Sequence, residues 1–310
     1  MTTIKKEISK GFELLVSPSS SSQKDYLLSN FSIPGDLQLL DFHLVKNSKK
    51  KAIITFSISK DQKAKSIPLA PFGGFYILEK IQSDSLEIFI NEITAYLLEI
   101  GINKIEITIA PKPYEGYYDL INYLLFKNGF SPKNLLCHQF FLGRKKIKKW
   151  VNLEQSKFQS KTQKQGIKII SDSINNFNFL NDIRQWNMER GYQMNFDENR
   201  IILQVSEYPE RYFLISVLDL KNPIAHCLAV KLFPDTLYYF LSAINPKSHL
   251  KNGGDILLYQ LFKLANEEKV RLIDLGSSDL GNDVNHPLMF FKSRFANDFS
   301  NKITWAKNLS

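Results

Sequence analysis

"GDILLYQLFKLANEEKVRLIDLGSSDLGNDVNHPLMFFKSRF" (254–295) decides how the second half of the chain folds. Ile256, Leu257, Leu258, Leu261, Phe262, Leu264 and Ala265 recur at three- and four-residue intervals, which predicts a helix over 254–268. "VRLIDLG" (270–276) then reads as a buried strand, and "SSDLGNDVN" as the loop at its end. "HPLMFFKSRF" (286–295) is a second helix with Pro287 suited to its first position, and "NKITWAK" (301–307) is a closing strand.

The same order occurs earlier. Leu86, Phe89, Ile90, Ile93, Leu97 and Ile100 predict a helix over 85–100, with Ser83 or Asp84 as N-cap and Gly101 at C′. A strand (103–111), a shorter helix (117–130) and a strand (134–143) follow. The two blocks, 85–142 and 254–306, match in element order and length, as a duplicated α/β unit would. Extended segments precede both: 50–59 and 67–78 in the first half, and 212–220, 225–233 and 237–244 in the second. Between the halves, 144–166 reads as a basic helix, Ile167–Ile170 as the start of a strand, and 176–196 as one or two helices. The expected domains are 1–143 and 167–310, joined by the helix 144–166, with 1–25 poorly structured or loosely packed.

Composition narrows the function classes. With 44% hydrophobic residues, 310 residues suffice for two full cores. No apolar run approaches the length of a membrane span, and Glu13 interrupts the short apolar run near the N-terminus, so no signal peptide is read there. Cys137 and Cys227 sit in apolar strands as structural thiols, without disulfide or zinc spacing, and an intracellular, cytoplasmic protein is the default expectation. The net charge is +9, and residues 144–168 carry nine Lys or Arg against one acid, Glu154. Charge confined to one segment argues against a general nucleic-acid coat. It fits a solvated helix or a docking surface for a phosphate-bearing substrate.

Residues 237–276 resemble the strand, loop, helix and Asp-Leu-Gly-ending strand of the GNAT acyltransferase superfamily. "FFKSRFA" is similar to the Phe-Lys-x-x-Phe-Gly motif of its tandem branch, the FemABX-like aminoacyltransferases and their BioF2-like bacterial relatives, with Ala296 where Gly is common. "FQSKTQKQGIKI" resembles the basic helix joining the two units, with Gln and Lys in place of arginines. The resemblance covers most of 50–306. It implies an α/β fold of two tandem GNAT-like domains, each a mixed, mostly antiparallel sheet flanked by helices. It also implies transfer of an acyl or aminoacyl group from a thioester or ester to an amine, such as a cell-wall precursor, an amino sugar or a peptide. No cofactor is tightly bound on this reading; acyl-CoA or aminoacyl-tRNA is the donor substrate.

Such chemistry needs a phosphate cradle, a stabiliser of the oxyanion and a route for the amine proton. The resemblance places Lys292 at the reacting centre. Its position on the edge of the Leu288, Phe291 and Phe295 face agrees, although a lone Phe-Lys also suits a surface lysine. Asp274, ending a buried strand, could orient Lys292 or the substrate amine. Lys251, Gly253 and Gly254 are the cradle candidates, because they lie where a helix N-terminus attracts anions. Neither register of that loop fits the acetyl-CoA signature, and a plain Gly turn explains it as well. Tyr238, Ser277 and Phe291 are candidates for substrate contact, with Ser277 equally suited to capping its loop. "PLAPFGGF" (68–75) is a second candidate pocket wall. His138, His226, His249 and His286 pair in sequence with nothing that suggests a triad or metal site. The alternative function is a binding or assembly module that kept the fold and lost the donor site.

Overall fold

The computed structural model describes residues 3–19, 37–67, 70–172, 174–192, 196–281 and 283–309. The chain divides into unit 1, Met1–Cys137 with Ser300–Ser310, and unit 2, His138–Phe299. The first repeat runs β1 (Ile4–Glu7), β2 (Phe12–Pro18), β3 (Gln38–Lys46), β4 (Lys49–Ile58), β5 (Lys63–Ser66), β6 (Tyr76–Ile77), α1 (Ser83–Glu99), β7 (Lys104–Ile109), α2 (Tyr118–Lys127) and β8 (Ser131–Leu142). The second runs α3 (Arg144–Lys164), β9 (Ile167–Asp172), α4 (Asn178–Glu189), α5 (Glu198–Glu207), β10 (Tyr212–Asp219), β11 (Asn222–Val230), β12 (Thr236–Ile244), α6 (Gly253–Glu267) and β13 (Leu272–Asp274). It ends with β14 (Asp279–Leu280), β15 (Asp283–Val284), α7 (His286–Ser293) and β16 (Asp298–Asn308).

In unit 1 the sheet order is β1-β2-β3-β4-β5-β7-β16, with β6 beside β4. Among the described strands only β5 and β7 run parallel, because α1 carries the chain back across the sheet between them. In β3, alternation puts Leu40, Phe42 and Leu44 on one face, where they join Ile54, Phe56, Phe89 and Leu125 in the core. Asp41 and His43 point the other way and are also buried. Thr55 Oγ1 donates to Asp41 at 2.6 Å, and the Lys50 ammonium lies 3.4 Å from His43 Nε2. Burial first, and the Lys50 charge second, push the His43 pKa down to about 4. The unfolded chain takes up this proton near pH 6.5, whereas the folded chain refuses it until about pH 4. Unit 1 is therefore expected to lose stability as pH falls through that window. Thermal melts from pH 7 to pH 4 test this: His43→Gln should show the shallower decline.

In unit 2 the order is β9-β10-β11-β12-β13-β8, and only β12 and β13 are parallel, joined by α6. Phe141, Ile147, Val151, Leu237, Phe262 and Ile273 form its core with α3 and α6 on one face of the sheet. Each unit thus takes its last strand from the other repeat. β16, at the chain end, pairs with β7 in unit 1, and Phe140–Leu142 of β8 pair with β13 in unit 2. A boundary drawn along the sequence at 143, with 167–310 as one domain, cannot express that exchange.

Several local expectations are revised. Residues 4–18 form paired strands with Phe12, Leu14 and Val16 buried, so that part of the N-terminus is not a loose tail; 20–25 lie outside the described residues. Helix α1 has Gln82 as N-cap without a side-chain bond, and Asp84 pairs instead with Lys10. Gly101 does supply the left-handed turn, at φ +83°, with Ile102 N–H bonded to Leu97 C=O. Helix α5 lies in a stretch for which no element was predicted, and the hairpin β14–β15 lies where only loop was read. Cys227 is wholly buried and Cys137 half-buried, and neither is in a disulfide.

Candidate active site

The site is built where β12 and β13 part. Their ladder runs only from Thr236↔Leu272 to Tyr238↔Asp274, while β12 continues to Ile244 and shifts register against β11 at Leu228/Ala229. Tyr238, Asp274 and Phe140 are ladder neighbours, so their side chains share one face of the sheet, opposite the α3–α6 core. Just past β13 the chain turns at Gly276, φ +73°. A Cβ there would lie 3.3 Å from Tyr238 Cε2 and 3.7 Å from Lys292 Nζ, so the glycine is in close contact with both.

Helix α7 brings the lysine in. Asn285 caps it, its Oδ1 accepting from Leu288 N–H at 3.0 Å, and Pro287 occupies the first turn. On this helix Phe290 is 72% exposed and Lys292 only 5% exposed, an inversion of ordinary patterning. Lys292 is therefore not a surface lysine at the edge of an apolar face. Its Nζ donates to Ser277 C=O at 2.5 Å. Burial lowers its pKa to about 8, against the opposing charges of Asp274 and Asp279.

Asp274, 1% exposed, accepts the Gly276 N–H on Oδ1 at 2.7 Å and meets His138 Nδ1 at 3.1 Å. Gln139, next in β8, exchanges backbone bonds with Gly276 and Leu275, and its Nε2 donates to Met289 C=O at 3.1 Å, tying α7 to the sheet. His138 and Gln139 escaped the sequence reading because β8 belongs to the first repeat and β13 to the second. Asp279 opens the β14–β15 hairpin, two residues beyond the carbonyl that holds Lys292, and its buried Oδ2 has no hydrogen-bond partner.

The structure thus brings Lys292, Asp274, Tyr238 and the Ser277 carbonyl together. The remaining candidates have other surroundings. Phe291 packs on the start of α6: a Cβ on Gly254 would lie 2.8 Å from its ring. Gly253 faces Leu250 and Ile244 with equal closeness. The Lys251 N–H donates to Gln165 Oε1 at 2.9 Å, and Gln165 Nε2 donates back to Lys251 C=O. Asp255 puts its own carboxylate in the first turn of α6, bonded to Arg294 at 2.7 Å. The glycines answer first to packing, and the helix N-terminus already holds an anion. Of "PLAPFGGF", Phe72 and Phe75 are buried, and 68–69 lie outside the described residues.

On the same sheet face α4 supplies a second polar chain. Ser216 Oγ lies 2.9 Å from His226 Nδ1, and His226 Nε2 lies 3.2 Å from Asp182. Trp186 stacks on the imidazole, rings 5.3 Å apart and 5° from parallel. Ser216 sits mid-strand between β9 and β11, with its N–H committed to the ladder, so it lacks an oxyanion hole and binds α4 to the sheet. Among the described residues no cluster of His, Cys, Asp and Glu could hold a metal ion, and no helix is long and apolar enough to cross a membrane.

No protein-family model and no curated protein matches this sequence. Solved structures do. FemX aligns with a TM-score of 0.61 at 13% identity over 88% of each chain. A tandem GNAT protein from the clavulanic acid biosynthesis pathway aligns at 0.53 and 10%, over 94% of this chain and 90% of its own. L-PGS from Bacillus licheniformis aligns at 0.53 and 14%, over 92% and 86%. The fold is the tandem GNAT fold expected from 237–276 and "FFKSRFA", a mixed, mostly antiparallel α/β structure built twice.

Proposed function

We propose that the protein is an N-acyltransferase of the tandem GNAT type, moving an acyl or aminoacyl group from a thioester or ester to an amine. The observation that carries this is the buried ammonium of Lys292 at the parting of β12 and β13. Attack of an amine on an acyl carbonyl builds negative charge on oxygen. A desolvated, hydrogen-bonded cation stabilises that charge far better than a solvated one does. Asp274 favours the charged form of Lys292 and holds His138; His138 acts as a positioning residue, through Asp274.

With Gly253 and Gly254 packed and Asp255 already in place, donor phosphates are better received elsewhere. Arg144, Lys145, Lys148, Asn266 and Lys269 line a groove of about 480 Å³ at the start of α3. Among the described residues no carboxylate lines it. This favours aminoacyl-tRNA, or a nucleotide-linked acceptor such as a cell-wall precursor, over acyl-CoA seated at α6. The same crowding at α6 is what favours the second reading, a binding module without a donor site. Transfer assays with mixed charged tRNA and with acyl-CoA, each against amino-sugar and peptide amines, separate them. The enzyme reading expects label on the amine from one donor. Absence of transfer from every donor, with no thermal stabilisation by any, overturns it.

A further inference from the structure

Resting on the acyl-transfer reading, we propose that Asp279 is the acceptor-binding residue of this site, receiving a protonated primary amine on its buried Oδ2. The loop geometry sets this up. Ser277 C=O holds the Lys292 ammonium at 2.5 Å, and Asp279 follows two residues later at the base of the β14–β15 hairpin. The hairpin is pinned by Asn285 N–H on Ser278 C=O at 2.8 Å and by the Asp279↔Val284 and Leu280↔Asp283 pairs. Asp279 is therefore held by backbone pairing, within electrostatic reach of Lys292, and does not hang from a free loop.

The two carboxylates of the site differ in one respect. Asp274 has its oxygens taken by Gly276 N–H and His138. Asp279 Oδ2 is cut off from solvent and accepts nothing. A buried carboxylate oxygen without a donor is costly to keep, so such an atom calls for a ligand that donates. Charge counting gives the ligand's sign. Two carboxylates, Asp274 and Asp279, act on one ammonium, Lys292, and a second ammonium would balance them. A primary ammonium fits best: it donates hydrogen bonds, and Asp279 is close enough to the oxyanion-stabilising lysine to act on its charge.

Methylammonium chloride is the probe, compared with tetramethylammonium chloride at equal ionic strength, pH 7. Methylammonium should raise the melting temperature of the wild type by at least about twice as much, since only it can donate to Oδ2. Asp279→Asn, and Asp279→Ala as a second variant, should abolish that difference. Equal shifts in the wild type, or a difference retained in both variants, overturn the proposal. A second readout needs no ligand. Losing the Asp279 charge should raise the neutral fraction of Lys292 at pH 7 roughly two- to fivefold, read by pH-dependent amine labelling of Lys292 and mass spectrometry. An unchanged labelling profile means that the carboxylate does not face the lysine, and the proposal fails. Neither measurement involves a donor or turnover, so their outcome is separate from that of the transfer assays.

Discussion

Lys292→Ala is expected to lower turnover by roughly 10²–10³-fold, the usual loss when one preorganised stabiliser of an oxyanion is removed. Lys292→Met should lose as much, and unit 2 should unfold at a lower urea concentration, because Asp274 and Asp279 are left without their counter-charge. The pH profile separates an electrostatic lysine from a basic one. Burial lowers Lys292 to about 8, so a lysine that works protonated gives a rate that falls as pH rises through about 8. Lys292→Arg, charged at every accessible pH, should remove that alkaline limb even if it is slower. A rate that instead rises through pH 8 would assign the lysine to proton abstraction, and a fully active alanine variant would remove it from the chemistry.

The repeat was legible because helical periodicity is strong and long in 85–100 and 254–268, and both helices were found within two residues of their observed bounds. The strands flanking each helix followed from β-branched runs ending at Gly or Pro. What could not be read was pairing across the chain. His138 meets Asp274 only because β8 crosses into the sheet of unit 2, a long-range event with no local signature. Asp279 was read as one polar residue of a Gly/Ser/Asn loop, because a two-residue hairpin is too short to show alternation. Lys292 was placed at the edge of its helix face from spacing alone. Its burial depends on the turn at Gly276, φ +73°, which brings Ser277 C=O to the ammonium. The glycines 253 and 254 looked like an anion site because permissive backbone and close packing leave the same residue in the sequence.

Asp274→Ala is expected to be the most destabilising change at the site, by about 3 kcal/mol or more in urea unfolding. The substitution removes one side chain but strands three groups. Gly276 N–H loses its acceptor in a buried turn, His138 Nδ1 loses its partner, and Lys292 loses the stronger of its two compensating charges. Asp274→Asn should cost less, since its oxygen can still accept from Gly276, yet Lys292 should then lose its proton below pH 8. The lysine's contribution is separable by a double-mutant cycle. If its uncompensated charge is a main part of the penalty, Lys292→Met in the Asp274→Ala background should recover part of the loss. The coupling energy should fall in the range of roughly 0.5–3 kcal/mol typical of neighbours in one network. Strict additivity would mean that Asp274 serves the turn and His138 alone. The carboxylate would then be a structural anchor with no hold on the lysine, and the electrostatic half of the mechanism would rest on Asp279.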